Sequence, residues 1–228
     1  CYGGDGTLLE GIRLLGGAPV PVVGINAGHM GFLTGGRKEA IEALFDEIAH
    51  GKLRIEQRTM LSIGGDVEGM PQQALAVNEA AVQRSGAGMI SVECYVDDQQ
   101  VATYYGDGVI VSTPLGSSAY ALSAHGPLVH PKGQALTLTP ISPFFKSFPP
   151  IVLPADSRIR LETDAAAPDA FLTVDGQEGI PLCGGDVIRV QSLDAGLRVL
   201  SCSSGTYFQR LRERGFIQTD GTSAPEHV

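Results

Sequence analysis

The chain has no Cys-x-x-C pair, because its four cysteines, Cys1, Cys94, Cys183 and Cys202, are scattered over 228 residues. That scatter indicates neither a zinc site nor a disulfide framework, and it fits a reduced, cytoplasmic setting. Cations are also scarce: 16 Lys plus Arg face 25 Asp plus Glu, and the net charge of −9 argues against an extended nucleic-acid or anionic-membrane surface. No apolar run approaches the ~20 residues of a membrane-spanning helix, and no charged stretch followed by an apolar one marks an export signal. Internal repeats are absent. Of the five histidines, His125 and His130 flank Gly126 and Pro127, but no carboxylate sits at ligand spacing and no bound metal is expected.

At 43% hydrophobic residues the chain can bury a core as one large domain or two small ones. Its front is organised around Gly3, Gly4, Asp5, Gly6 and Thr7, followed at helical spacing by Leu8, Leu9, Ile12 and Leu15. Thr7 reads as the cap of that helix. The glycines allow φ > 0 and close approach to a ligand, and the unpaired N–H groups of a helix start suit phosphate oxygens. Gly3, Gly4, Gly6 and Thr7 therefore read as a phosphate cradle. An acid inside such a cradle repels its ligand, so Asp5 either ligates a metal that also holds phosphate or takes a proton from an attacking hydroxyl. An ordinary Gly-Asp-Gly turn is the alternative. Cys1 is not an initiator Met, and only Cys1 and Tyr2 stand where a buried strand should precede the loop, so an N-terminal segment is expected to be missing.

Residues 20–25 form a short β-branched run ending in a second glycine loop, Asn26, Ala27, Gly28, His29, Met30, Gly31, Phe32, Leu33 and Thr34, in which His29 is a possible ligand contact. Residues 38–50 carry Ile41, Leu44, Phe45 and Ile48 at helical spacing, with Gly51 where a C-cap belongs. From Leu53 the style changes. Residues 89–96 alternate, Asp97 and Asp98 turn the chain, and 100–105 return as a hairpin. Strand-like pieces follow at 75–82, 109–112, 136–139, 159–161, 171–174, 187–190 and 197–201. The economical reading is a Rossmann-like α/β N-terminal domain, truncated, over 1–57, then a β-sandwich-like all-β domain over 58–204. A C-terminal helix at about 205–217, with Tyr207, Phe208, Leu211 and Phe216, is expected to return to the first domain, and 220–228 reads as a polar tail.

Residues 106–123 carry a three-residue apolar strand, Val109, Ile110 and Val111, into a run of hydroxyls, a glycine and Tyr120. Small residues admit a ligand, hydroxyls bond sugar or amide groups, and Tyr120 suits stacking on or packing under a base. Taken together, the Gly3 to Thr7 loop, residues 24–34, Asn78 and Glu79, residues 106–123 running on to Pro131, and Val174, Asp175, Gly176 and Gln177 resemble, in order, the ATP-dependent NAD kinases of bacterial type. The resemblance spans nearly the whole chain. Its first loop is shared with diacylglycerol, sphingosine and phosphofructokinase-type kinases, so residues 106–131 supply the discrimination.

The resemblance implies a cytoplasmic enzyme that passes the γ-phosphate of ATP, held with Mg²⁺, to the 2′-hydroxyl of the adenosine ribose of NAD. It implies a homodimer or homotetramer, with no nucleic-acid or membrane partner. Asp5 would be the base. Gly6 joins it on NAD, Asn78 and Glu79 would bond the adenosine ribose or base, and Asp107 would face the nicotinamide side. Ser118, Ala119, Tyr120 and Ser123 would line the adenine and ribose pocket, with Phe32 as a wall and Gln177 closing it. Many members have a histidine, a hydroxyl and an arginine after the strand end at Pro140 and Ile141; this chain reads Ser142, Pro143, Phe144, Phe145, Lys146, Ser147, Phe148 and Pro149, with Lys146 the sole cation and Ser142 taken as a pocket residue. The rival readings are a related kinase with a lipid or sugar acceptor, and a truncated dinucleotide-binding module without turnover.

Overall fold

The computed structural model describes residues 1–27, 31–34, 36–37, 41–145, 148–164, 170–177, 179–193, 196–201 and 207–218. Gly28, His29, Met30, Lys146, Ser147, Cys202 and the polar tail lie outside them. The chain opens with β1 (Tyr2–Gly3), α1 (Asp5–Leu14), β2 (Ile25–Asn26), β3 (Gly36–Arg37) and α2 (Ile41–Ala49). Strands β4 (Arg54–Arg58), β5 (Leu61–Asp66), β6 (Ala74–Ala76), β7 (Glu79–Arg84), β8 (Ile90–Val96), β9 (Gln99–Gly106) and β10 (Gly108–Ser112) follow. After a 3₁₀ turn at Gly116–Ser118 come α3 (Tyr120–Ser123), β11 (Ala135–Ile141), β12 (Ile151–Pro154), β13 (Ile159–Thr163) and β14 (Ala170–Val174). The chain continues through β15 (Ile180–Leu182), β16 (Val187–Ser192), β17 (Leu197–Ser201) and α4 (Tyr207–Glu213).

Two compact units result. The first is built from Cys1–Leu14, Pro21–Glu56 and Val199–Val228, the second from Leu15–Val20 and Gln57–Arg198. In the first, β1, β2 and β3 form a parallel sheet, and Leu8, Ile12, Ile25, Leu33, Leu44 and Leu211 are buried. The run at 20–25 yields the Val22 bridge to Val199 and Ile25, the first residue of β2. Gly51 closes α2 as read: its φ is +62°, the Lys52 N–H reaches the Glu47 carbonyl at 2.9 Å and the Gly51 N–H the Ile48 carbonyl at 3.0 Å.

The second unit is a β-sandwich of two six-stranded antiparallel sheets, β12-β11-β10-β7-β14-β15 and β6-β5-β16-β13-β8-β9. Alternation decides the faces. Val109 and Val111 of β10 point into the core between the sheets, with Leu138, Leu161, Leu172 and Ile188, while Ile110 points to the opposite face and packs with Ala81, Ala121 and Ile141 beneath α3. That second buried face is why β10 reads as unbroken apolar sequence. Asp97 and Asp98 make the expected turn, both with positive φ, +49° and +65°.

One expected strand is two. Residues 75–82 divide into β6 of one sheet and β7 of the other, and the chain crosses between sheets at Val77 and Asn78. The crossing forgoes ladder bonds, and their replacement builds the site described next.

Candidate active site

In the first unit α1 begins at Asp5, its first i+4 bond running from the Leu8 N–H to the Gly4 carbonyl at 3.2 Å. Thr7 is therefore inside the helix rather than its cap. Its side chain fills the space above Gly3, whose φ is +155° and where a Cβ would strike it. Of the three glycines expected to allow φ > 0 only Gly3 takes it; Gly4 and Gly6 do not, and both face open space.

The Asp5 carboxylate is held on three sides by the second glycine loop. Oδ2 accepts the Phe32 N–H at 2.7 Å, and Oδ1 accepts those of Leu33 and Thr34, each at 3.1 Å. A Cβ on Gly31 would overlap the carboxylate, so the loop wraps the acid only because residue 31 has no side chain. Four lone-pair sites on a carboxylate less three bonds leave one, on Oδ2. Phe32 is itself gripped: Arg210 Nη1 donates to its carbonyl at 2.7 Å, Phe216 stacks on its ring at 5.8 Å and 4°, and the Arg214 guanidinium lies 5.0 Å from the ring centroid.

In the second unit the crossing at 77–79 has every backbone group paired. Asp175 Oδ2 accepts the Val77 N–H at 2.9 Å, and its Oδ1 accepts those of Asn78 and Glu79 at 2.7 and 3.1 Å. The Val77 carbonyl takes the Thr113 hydroxyl at 2.7 Å, the Asn78 carbonyl the Thr113 N–H at 2.9 Å, and the Glu79 carbonyl the Asp175 N–H at 2.9 Å. Asp175 sits in the left-handed region, φ +50°, which Asp tolerates better than most residues. Gly116 lies flat against Asn78, where a Cβ would run into backbone.

Glu79 is buried, 5% exposed, and its Oε2 has no hydrogen-bond partner among the described residues. Burial, with the neighbouring Asp175 charge, pushes its carboxyl up to about 8, against a smaller opposing effect of the Tyr120 backbone hydrogen bond. Glu79 is therefore mostly a neutral acid at pH 7. Burial, then Asp107 and Glu79, also raise the Tyr120 phenol, which donates to Gln83 Oε1 at 2.9 Å.

Asn78, Glu79, Tyr120 and Asp175 thus form one cluster of the second unit. Asp107 is instead paired with Arg84 at 2.6 Å, and its N–H bonds the Ile141 carbonyl at 3.0 Å, next to exposed Ser142. Ser118 Oγ is turned back onto the Leu115 carbonyl at 3.0 Å, Ser123 is exposed, and exposed Gln177 reaches the Asp175 carbonyl at 3.3 Å. The sequence assigns no role to Thr113, Arg84 or Arg210, and names Asp175 only as part of the 174–177 motif, without a role. Asp175 carried a signal, an Asp-Gly at a strand end, a dipeptide suited to left-handed turns. Among the described residues no group of three or more His, Cys, Asp or Glu could hold a metal, and no helix is long and apolar enough to cross a membrane.

A glycine-walled acid heading a helix in an α/β unit, with a β-sandwich whose sheet crossing folds onto a hydroxyl-rich turn, defines a two-domain α/β plus all-β class. Family models for the ATP-NAD kinase N-terminal domain and the ATP-NAD kinase C-terminal domain match residues 1–53 and 77–200. The NAD kinase of Moorella thermoacetica is 42% identical over 216 residues, 93% of this chain and 68% of that protein. The NAD kinase of Heliobacterium modesticaldum is likewise 42% identical, over 93% of this chain and 76% of its own length. Yeast NADH kinase, solved with NADH, superposes with a TM-score of 0.86 at 28% identity, covering 99% of this chain and 67% of that one. An NAD kinase from Archaeoglobus fulgidus, solved with ATP, superposes at 0.77 with 31% identity, covering 93% and 78%. The chain belongs to the NAD kinase family.

Proposed function

We propose that the protein phosphorylates NAD, moving the γ-phosphate of MgATP to the 2′-hydroxyl of the adenosine ribose to give NADP. The observation that carries this reading is the Asp5 carboxylate, fixed by three backbone N–H groups at the head of α1 with one lone pair left on Oδ2. In the reaction Oδ2 takes the 2′-hydroxyl proton as that oxygen bonds the γ-phosphorus and the bond to the β–γ bridging oxygen breaks, releasing ADP. General-base help of this kind is worth ~10²–10⁴-fold.

Gly3, Gly4, Gly6 and Thr7 bind phosphate. Open space at Gly4 and Gly6 leaves room for it, and first-turn N–H groups suit its charge. Mg²⁺ arrives with ATP, since this ion is commonly held by phosphates, waters and one or two carboxylates rather than by a protein cage. Asn78, whose side chain has no partner among the described residues, and neutral Glu79, with its idle Oε2, supply a donor and acceptor pair for a ribose. In the second unit Ser118, Ala119, Tyr120, Ser123 and Gln177 serve the adenine and ribose and Asp107 and Ser142 the nicotinamide side; in the first unit Phe32 is the NAD contact. The ligands of the yeast and archaeal neighbours, NADH and ATP, support a dinucleotide and ATP here. A cytoplasmic homodimer or homotetramer completes the proposal, with exposed Phe144, Phe145 and Tyr105 as surface such a contact would cover.

The test is NADP formation from NAD, ATP and Mg²⁺ by the chain and by Asp5→Asn, with NADH run beside NAD. NADP made by the chain and lost in the variant supports the reading. Equal indifference of both proteins, with NAD still bound, would instead identify a binding module, and phosphorylation of a lipid or sugar alone would move the acceptor.

A further inference from the structure

We propose that Arg210, on the C-terminal helix α4, is a positioning residue for Asp5, acting through the peptide group between Phe32 and Leu33. The inference rests on the reading of Asp5 as the base. That one peptide group is bonded at both ends. Its carbonyl oxygen accepts Arg210 Nη1 at 2.7 Å, and its N–H donates to Asp5 Oδ1 at 3.1 Å. A guanidinium on the oxygen draws electron density through the amide and makes the N–H a stronger donor, as in any chain of hydrogen bonds. Arg210 therefore acts on the carboxylate at one remove, in orientation and in charge.

The rest of α4 serves the same residue. The helix ends in a turn in which the Phe216 N–H returns to the Leu211 carbonyl and the Gly215 N–H to the Arg212 carbonyl, both at 2.9 Å, with Gly215 at φ +72°. That turn swings Phe216 back beside the helix and delivers its ring parallel to Phe32, while Arg214 lies over the same Phe32 ring. Phe32 is thus fixed at its carbonyl and at its ring by three residues within seven positions of one another. Simple attachment of the helix is already provided by Leu211, which is 3% exposed. The arginine contact adds aim rather than adhesion.

The experiment compares Arg210→Met, which keeps the length of the side chain and removes the charge, with Arg210→Lys, which keeps a charged donor. Arg210→Met is expected to lower kcat by ~10–100-fold, the scale of a small misplacement of a reacting group, with the KM for NAD little changed. Added guanidinium ion should restore part of that kcat, and Arg210→Lys should fall between. Amide hydrogen exchange, which needs no turnover, should quicken about tenfold at Phe32, Leu33 and Thr34 in Arg210→Met and stay unchanged at Leu8 and Ile12 of α1. Unchanged exchange at 32–34 overturns the proposal, as does a kcat loss that follows melting temperature and ignores guanidinium. If the wild-type chain makes no NADP, the base reading falls, and exchange alone then decides whether Arg210 holds the loop around Asp5.

Discussion

Glu79 and Asp175 are joined through the Glu79 peptide, whose N–H donates to Asp175 Oδ1 at 3.1 Å and whose carbonyl accepts the Asp175 N–H at 2.9 Å. The pairing puts one anion, satisfied by three donors, next to a buried carboxyl that has an unpartnered oxygen. Two adjacent acids in an apolar setting do not both ionise at low cost. Asp175 has the donors, and Glu79 keeps the proton.

The pH dependence of stability follows in sign. The Glu79 carboxyl is raised from 4.5 to about 8, so between those values the folded chain binds a proton that the unfolded chain has lost. Its contribution is full below about pH 4.5, falls across that window and is gone above about pH 8. Glu79→Gln cannot ionise. Its stability relative to wild type should improve by a few kcal/mol, order of magnitude, from pH 5 to pH 9. Urea unfolding of both proteins at the two pH values measures this, and parallel curves would mean that Glu79 is ionised in the native state.

Replacing Asp175 tests whether its carboxylate or its backbone angle holds the sheet crossing. Asp175→Ala orphans three N–H groups at a positive φ, and Asp175→Gly orphans them while relieving that angle. Each buried unsatisfied donor costs ~1–3 kcal/mol, so both variants should lose several kcal/mol. Near-wild-type stability of Asp175→Gly in denaturant would put the burden on the backbone instead.

Gly6 and Gly31 should separate ligand clearance from support of the acid. A Cβ at Gly6 meets nothing within 4 Å, so Gly6→Ala should leave melting almost unchanged and raise the KM for ATP. A Cβ at Gly31 collides with the Asp5 carboxylate, so Gly31→Ala should lower kcat by ~10²-fold. Kinetics on the two variants check the pair, and interchangeable effects would refute the division of labour.

Much of this was legible in the sequence, for stated reasons. The alternation of residues 89–96 and the apolar run at 109–111 mark strands because burial on one face or on two leaves different patterns. The C-cap at Gly51 and the turn at Asp97 and Asp98 are local chemistry, which a sequence carries in adjacent letters. The break between β6 and β7 was not legible, because the agent that permits it, Asp175, stands 97 positions from Asn78. Arg210, 178 positions from Phe32, was hidden in the same way within an ordinary amphipathic pattern. Thr7 lies inside the helix rather than at its cap for a smaller reason: Gly4 can begin a helix without a side-chain cap, and the helix accordingly starts at Asp5. Thr113, Asp175 and Arg210 act on backbone far along the chain, and such contacts leave no periodicity.

The first unit draws on both ends of the chain, residues 1–14 and 21–56 together with the stretch from 199 onward, whereas most of the second is the uninterrupted stretch 57–198. Val22 has its bridge partner in Val199, and Phe32 its guanidinium in Arg210. Domains ordinarily fold as they emerge, N-terminal first. Here a ribosome delivers the loop around Asp5 early and its fastening late, so the sandwich can mature while the acid still lacks part of its mounting. Protease digestion of a released chain ending at residue 200 should find the sandwich resistant and the front susceptible. Arg210 is made 178 positions after Phe32, so the loop around Asp5 gains that fastening only once the strands of the sandwich have been synthesised.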